Sequence, residues 1–313
     1  MTWNVAALYH FTTLDDLPRL QTATKDACLN NNICGTLLIA PEGINGTIAG
    51  AADDLDRIMA FLDRTFGIGR GEIKYSTASE QPFMRMKVRL KREIVTLRAP
   101  EANPAKQVGK YVAPEDWNDL LDDPDLIVID TRNIYETKIG MFDGAVDPKT
   151  QNFTDFKEYV AHNLDPQKNR KVAMYCTGGI RCEKASSYML AKGFEDVYHL
   201  KGGILKYLET IPADQSKWRG SCFVFDRRVA VDHGLKESAH KICFGCRMPL
   251  EPEDLREPSY EPGVSCPHCY EGLSAEKAEN LRMRHRQMAD EKPVHDSAQD
   301  KKSDTGQTYV ETG

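Results

Sequence analysis

Cys176 closes the apolar run KVAMYC (171–176) and precedes Thr177, Gly178, Gly179, Ile180 and Arg181. That run reads as a buried strand, and Cys182 to Lys192 as a helix stopped by Gly193. Between them, two consecutive glycines let the backbone turn its N–H groups inward as an anion-binding nest. The helix beyond adds the positive end of its dipole. Arg181 adds a full charge, either entering the loop or anchoring it to an acid. All three favour a thiolate, so Cys176 is expected to be a nucleophile of lowered pKa, with Thr177 to Ile180 as its cradle. The bland alternative, an inert cysteine at a strand end, leaves the glycines and Arg181 without a purpose. Cys182 is either a small packing residue or the thiol that resolves an oxidised Cys176.

A second constellation is Cys243-Phe-Gly-Cys246 and Cys266-Pro-His-Cys269, separated by 19 residues. Each CxxC turn sets two sulfurs on one side of a metal, and the intervening loop closes a tetrahedron, so the spacing is that of a four-thiolate zinc site. Four protein ligands leave no open position, which makes the site structural. His268, between ligands, is a bystander.

The third is FMRMKVRLKRE, in which Arg85, Lys87, Arg89 and Lys91 alternate with Met84, Met86, Val88 and Leu90. A period of two puts the cations on one face of a strand. Residues 81–98 hold six Lys or Arg and one acid, a candidate phosphate-binding stripe. Its bland alternative is the solvent face of an antiparallel strand. Arg282, Arg284 and Arg286 spread around a helix and form no face.

These residues need elements to position them. Residues 3–11 are strand-like, 15–32 carry helical spacing, 34–40 form a buried strand, PEGING turns into a return strand, and 53–66 form a second helix. With 83–95 as the last strand, the order β-α-β-β-α-β predicts a ferredoxin-like α+β domain over 1–98, which carries the candidate phosphate-binding stripe. Residues 99–107 read as a linker. From 108 to 215 the apolar strands LIVID, KVAMYC and DVYHL alternate with helices, which predicts an α/β domain with a parallel sheet. Asp130 and Cys176 sit at carboxyl ends of its strands, where ligands of such sheets gather. Residues 216–290 are assigned to the zinc module, and 291–313, almost without apolar residues, to a disordered tail.

The chain of 313 residues has 41% hydrophobic and 28% charged residues and a net charge of −6. It is therefore globular, and nucleic-acid contact would have to come from a local basic face. No apolar run is long enough for a membrane helix. The absence of an export signal, with nine cysteines including two CxxC pairs, predicts a cytoplasmic protein with thiol and metal chemistry.

The spacing C-x4-R is one residue shorter than the loop of cysteine phosphatases and suits a single sulfur or oxygen atom. With DTRNIYE (130–136) and GMFDGA (140–145), it resembles a rhodanese domain. That resemblance implies a persulfide-forming Cys176, with Asp130, Arg132 and Glu136 in the motif that braces the loop. The ordered set APEGINGTIAG, KVRLKREIVTL, DTRNIYE, MYCTGGIRCEKAS, YHLKGGILKYLE, CFVFDRRVAV and CFGC…CPHC is similar to the rhodanese-domain tRNA uridine hydroxylases (the TrhO family). It implies oxygen-dependent conversion of uridine 34 in the tRNA anticodon loop to 5-hydroxyuridine, with molecular oxygen as cosubstrate and Cys176 required. No flavin fingerprint, haem motif or two-His-one-carboxylate set stands out, and the electron donor and oligomeric state are not legible. A thiosulfate sulfurtransferase or persulfide relay needs only residues 108–212. A non-catalytic RNA-binding protein would need the basic strand and zinc module but no activated thiol.

Overall fold

The computed structural model describes residues 2–69 and 73–290; the tail from 291 lies outside the described residues. One compact unit comprises the chain up to Ile242 together with Pro249–Pro252, and a second contains Cys243–Met248 and the chain from Glu253.

The N-terminal part runs β1 (Trp3–Phe11), α1 (Leu17–Asn30), β2 (Cys34–Ala40), β3 (Gly43–Gly50), α2 (Ala52–Phe66), β4 (Ile73–Ala78) and β5 (Met86–Leu90). In α2, Leu55, Ile58, Met59, Leu62 and Phe66 recur at helical spacing and are all buried, so one stripe faces the sheet. They meet Leu8, Leu37, Ile39, Ile44 and Ile48 in a single core. The ferredoxin-like order is present, with one correction. The fourth strand is Ile73–Ala78, paired antiparallel with β1, and the segment expected to be last contributes only Met86–Leu90, a fifth strand parallel to β2. The sheet order is β4-β1-β3-β2-β5. Sequence IKYSTA at this edge has little apolar alternation to announce it, whereas 84–91 alternates strongly. Only Met86 and Val88 of that alternation are buried; Met84 and Leu90 are exposed.

The central part runs β6 (Lys110–Val112), α3 (Pro114–Leu121), β7 (Leu126–Asp130), α4 (Ile134–Thr137), β8 (Gly140–Phe142), α5 (Phe156–Asn163), β9 (Lys171–Tyr175), α6 (Ile180–Ala191), β10 (Asp196–Leu200) and α7 (Gly203–Thr210). Strands β6-β10-β9-β7 form the expected parallel sheet. One face packs under α5 and α6 through Phe156, Val160, Ala185 and Met189. The other packs under α3 and α7 through Trp117, Ile204 and Leu208. Ala99 and Ala102, expected in a linker, are buried in the first of these clusters.

The boundary expected at 216 is also corrected. Strand β11 (Trp218–Gly220) pairs with β8, and Trp218 and Cys222 enter the core of the central domain. The ribbons β12 (Cys222–Phe223) with β13 (Ala230–Val231), and β14 (Lys241–Ile242) with β15 (Pro249–Leu250), belong to the first unit. In the second unit, the helix α8 (Ala275–Asp290) follows the cysteine pairs, and Arg282 is held by Glu261 and Glu279.

Candidate active site

Cys176 stands immediately beyond β9, and its sulfur accepts a hydrogen bond from the Gly179 N–H at 3.1 Å. Helix α6 begins at Ile180, two residues before the expected start, so the loop proper is Thr177 to Gly179. Gly179 has φ +105°, and a Cβ there would lie 2.8 Å from the Tyr9 hydroxyl. Of the two glycines it is therefore the second that the loop cannot replace. From below, Ile204 and Leu205 donate their N–H groups to the carbonyls of Cys176 and Thr177. Gly203 permits that approach, since a Cβ on it would sit 2.5 Å from the Cys176 carbonyl oxygen.

Burial pushes the Cys176 thiol up. A hydrogen bond from the Cys182 thiol, the nearby Arg181 guanidinium and the N–H groups of Cys182 and Gly179 outweigh it and bring the group down to about 6. Cys182 itself is driven well up, by burial first and then by its charged neighbour. Its sulfur also lies 3.5 Å from Thr131 Oγ1. As arranged, Cys182 is a proton-holding donor to the Cys176 thiolate.

Arg181 is anchored rather than free. Its two terminal nitrogens donate to the Glu136 carboxylate at 2.7 and 2.6 Å, the bidentate geometry that guanidinium favours. Thr177 Oγ1 donates to the same carboxylate at 3.3 Å. Burial would raise Glu136, but Arg181 holds it below the usual carboxylate range. Behind this pair, Arg132 Nε lies 2.9 Å from Asp130 Oδ1, its Nη2 donates to the Gly140 carbonyl at 2.6 Å, and the guanidinium lies over the Trp218 ring. Asp130, Arg132 and Glu136 are all fully buried. DTRNIYE is thus a rigid brace under the cysteine loop.

The sequence did not announce that the N-terminal domain closes over this loop. Tyr9 of β1 donates its hydroxyl to Glu183 Oε1 at 2.8 Å, and Tyr111 donates to the same oxygen at 2.9 Å. Burial, then Glu183, then the charge on Cys176 push the Tyr9 hydroxyl well above its ordinary range. Next along α6, Lys184 is buried and donates to both oxygens of Glu42, to Glu93 and to the Val95 carbonyl. Glu42 belongs to the APEGING turn, which gives that motif a docking purpose. Between the sheet and the loop lies a cavity of about 420 Å³ lined by Cys176, Arg181, Tyr9, Thr36, Thr47 and Lys74 among others. That is a volume suited to a small planar ligand.

The four cysteines of the second unit converge. Sulfur separations of 3.9 Å (Cys243–Cys269), 3.7 Å (Cys246–Cys266) and 3.8 Å (Cys266–Cys269) match the edge of a tetrahedron with metal–sulfur bonds of about 2.3 Å. The cluster can hold a metal ion. His268 lies 3.6 Å from Asp254 and outside the ligand set.

Comparison with known proteins now adds to this geometry. Residues 3–94 match the UPF0176 acylphosphatase like domain, and residues 113–210 match the Rhodanese-like domain. A protein of Rhizobium etli named tRNA uridine(34) hydroxylase is 54% identical over 91% of this chain and 91% of its own. One of the same name from Rhizobium leguminosarum bv. trifolii is 52% identical over 91% of this chain and 92% of its own. The chain belongs to the tRNA uridine(34) hydroxylase family. Among solved structures, a rhodanese-like domain from Anabaena sp. aligns at 20% identity over 35% of this chain and 78% of that one, with a TM-score of 0.29. Within the hydroxylase family frame, the rhodanese loop, the acylphosphatase-like sheet and the four-cysteine cluster are all present in this chain. No described helix is long and apolar enough to cross a membrane.

Proposed function

We propose that this protein hydroxylates uridine 34 of tRNA to 5-hydroxyuridine, working through Cys176. The observation that carries the reading is the cavity itself. It brings an activated thiol and a sheet surface from a second domain around a space large enough to admit a pyrimidine base. Bases that undergo chemistry are taken out of the stack into such pockets, and the anticodon loop offers single-stranded bases.

The Cys176 thiolate adds to carbon 6 of the uracil, moving the ring's electron pair onto carbon 5 and its carbonyl. Carbon 5 then meets an electrophilic oxygen, the proton on carbon 5 leaves, and expulsion of the thiolate restores the ring. In the sum, one atom of molecular oxygen enters the base and the other leaves as water, with two electrons from an external reductant. In a second route, molecular oxygen first oxidises the Cys176 sulfur, as thiolate or persulfide, to a sulfenate-level species, its other atom leaving as water with two electrons from the same external reductant, and that species then passes its oxygen to carbon 5 and returns to the reduced sulfur. Arg181 and Cys182 hold the thiolate form, Thr177 to Ile180 cradle it, and Asp130, Arg132 and Glu136 brace the loop.

Zinc is the metal we assign to Cys243, Cys246, Cys266 and Cys269, because four thiolates at tetrahedral spacing are its structural ligand set. These residues would hold it; bound there, it cross-links a segment with few buried apolar residues. We read the cytoplasm as the site of action, where reduced thiols and tRNA meet.

The oxygen source is tested by growth under ¹⁸O₂ followed by nucleoside mass spectrometry of tRNA. A 5-hydroxyuridine heavier by two mass units, dependent on this protein, supports the reading. Unlabelled product would assign the oxygen to water. Loss of thiolated nucleosides instead of hydroxylated ones would favour sulfur transfer.

A further inference from the structure

The motif CFVFDRRVAV (222–231) carries no part of the chemistry above, yet it reaches the cavity that holds Cys176. Its ends pair as β12 with β13. The turn between them is closed by the Val224 N–H, which donates to the Val229 carbonyl at 2.8 Å, and by the Val229 N–H, which donates to the Asp226 carbonyl at 3.2 Å. Val229 has φ +66°, a left-handed conformation that a β-branched residue keeps only where its surroundings impose it. Arg228 fastens the turn. Its Nε donates to Asp226 Oδ1 at 2.9 Å, and its Nη1 donates to Ser76 Oγ at 2.8 Å and to the Thr77 carbonyl at 3.1 Å. Both side chains of this ion pair are buried. The Arg227 N–H adds a bond to the Pro82 carbonyl at 3.2 Å, so the turn is tied to β4 and to the segment that follows it.

What this turn holds out is Phe225. It is 58% exposed and lines the cavity. Its ring meets that of Phe223 in a T-shaped contact at 5.2 Å, and Phe223 meets Tyr135, another lining residue, in the same way. Cys176 is 1% exposed, so the cavity runs from a sealed sulfur to an open aromatic rim. A single exposed aromatic is ordinary on a protein surface. This one sits on a turn kept in place by a buried ion pair, a left-handed valine and bonds to Ser76, Thr77 and Pro82. Tyr75, also exposed and in the lining, pairs with Ala6, a residue of the helix-side core, and so turns to that face of the sheet. The basic residues Arg85, Lys87, Arg89 and Lys91 do not line this cavity; the first three border a separate groove with Gln21 and Lys25 of α1.

Drawing a base out of a single-stranded loop leaves its neighbour with one bare π face. Aromatic side chains stack on such faces whatever the base. We propose that Phe225 is the stacking residue at the cavity mouth, covering the nucleobase next to the target uridine while the uracil itself passes inward to Cys176. The buried Asp226–Arg228 pair is its positioning device. This rests on the tRNA reading above and deepens it, by giving the motif after the rhodanese region a contact with the RNA.

The test uses the full chain and whole tRNA in which 2-aminopurine, a fluorescent base that dims on stacking, replaces the nucleotide immediately before or immediately after the target uridine. In the wild-type complex one of the two positions is expected to be dim, and in the Phe225→Ala complex the same position is expected to brighten, because its base has lost its cover. Phe225→Ala is also expected to weaken binding about tenfold, within the range of one base–aromatic stack. Phe225→Tyr keeps a π face and is expected to give the dim signal and to bind within about twofold of wild type. If both positions are equally bright with wild type and Phe225→Ala, the stacking role is overturned while the tRNA reading stands. If wild type does not bind the tRNA, both fall.

Discussion

The ammonium of Lys184 lies 2.8 Å from Glu42 Oε1, joining the helix that follows the reactive cysteine to the turn between β2 and β3 of the N-terminal sheet. With Glu93 and the Val95 carbonyl it fills all three N–H positions of a lysine that is 2% exposed. The adjacent Glu183 takes the Tyr9 hydroxyl from the same sheet. Two consecutive residues of α6 thus fasten one domain to the other, directly beyond the cysteine loop.

Removing the ammonium alone leaves two carboxylates facing each other in a partly desolvated site. Lys184→Met is expected to cost about 3–5 kcal/mol, as breaking buried ion pairs does. Chemical denaturation of the full chain measures it. A change below about 1 kcal/mol, the scale of exposed pairs, would show that the clamp carries little stability.

Cys176 is a nucleophile only as thiolate, so its alkylation by iodoacetamide should be lost as pH falls through about 6 and be maximal above it. Cys182→Ala removes a donor to the charged form. A hydrogen bond to a charged group is worth about 1.5–3 kcal/mol, so the alkylation midpoint should rise by about one to two pH units. An unchanged midpoint would mean that Cys182 only packs.

Glu136 and Arg181 act on the thiolate with opposite signs. Arg181→Met removes a positive charge and should raise the alkylation midpoint. Glu136→Gln leaves that charge uncompensated and should lower it, although both variants are expected to lose stability through breaking a buried pair. Shifts of the same sign would contradict this electrostatic account.

The four-cysteine cluster should bind one zinc per chain, measured by elemental analysis. Cys266→Ser, or prolonged chelation, should release it and expose the module containing α8 to proteolysis while the first unit stays protected. Retention of full metal content in Cys266→Ser would break the assignment.

Much of this is legible in the sequence, for identifiable reasons. Cys176, its glycines and Arg181 are contiguous, and DTRNIYE and the CxxC pairs are local patterns, so short windows suffice to find them. The parallel sheet announced itself because LIVID, KVAMY and DVYHL are apolar strands buried on both faces. Strand β4 has no such signal, because an edge strand needs few apolar residues. The place of segment 216–242 in the first unit is not legible locally, because its contacts, such as Trp218 beside Phe142, span some 76 residues, and no local pattern records them. Tyr9 and Glu42 were unreadable as site neighbours for the same reason: their partners Glu183 and Lys184 lie 174 and 142 residues away.

The proposed work of Cys176 in this chain is to make 5-hydroxyuridine at position 34. It is tested most directly by nucleoside mass spectrometry of tRNA from cells lacking this protein, complemented with wild type or with Cys176→Ser shown to fold normally. Restoration of 5-hydroxyuridine and its derivatives by wild type alone is the predicted result. Equal restoration by Cys176→Ser would contradict the account, leaving the cavity with a different reactive group.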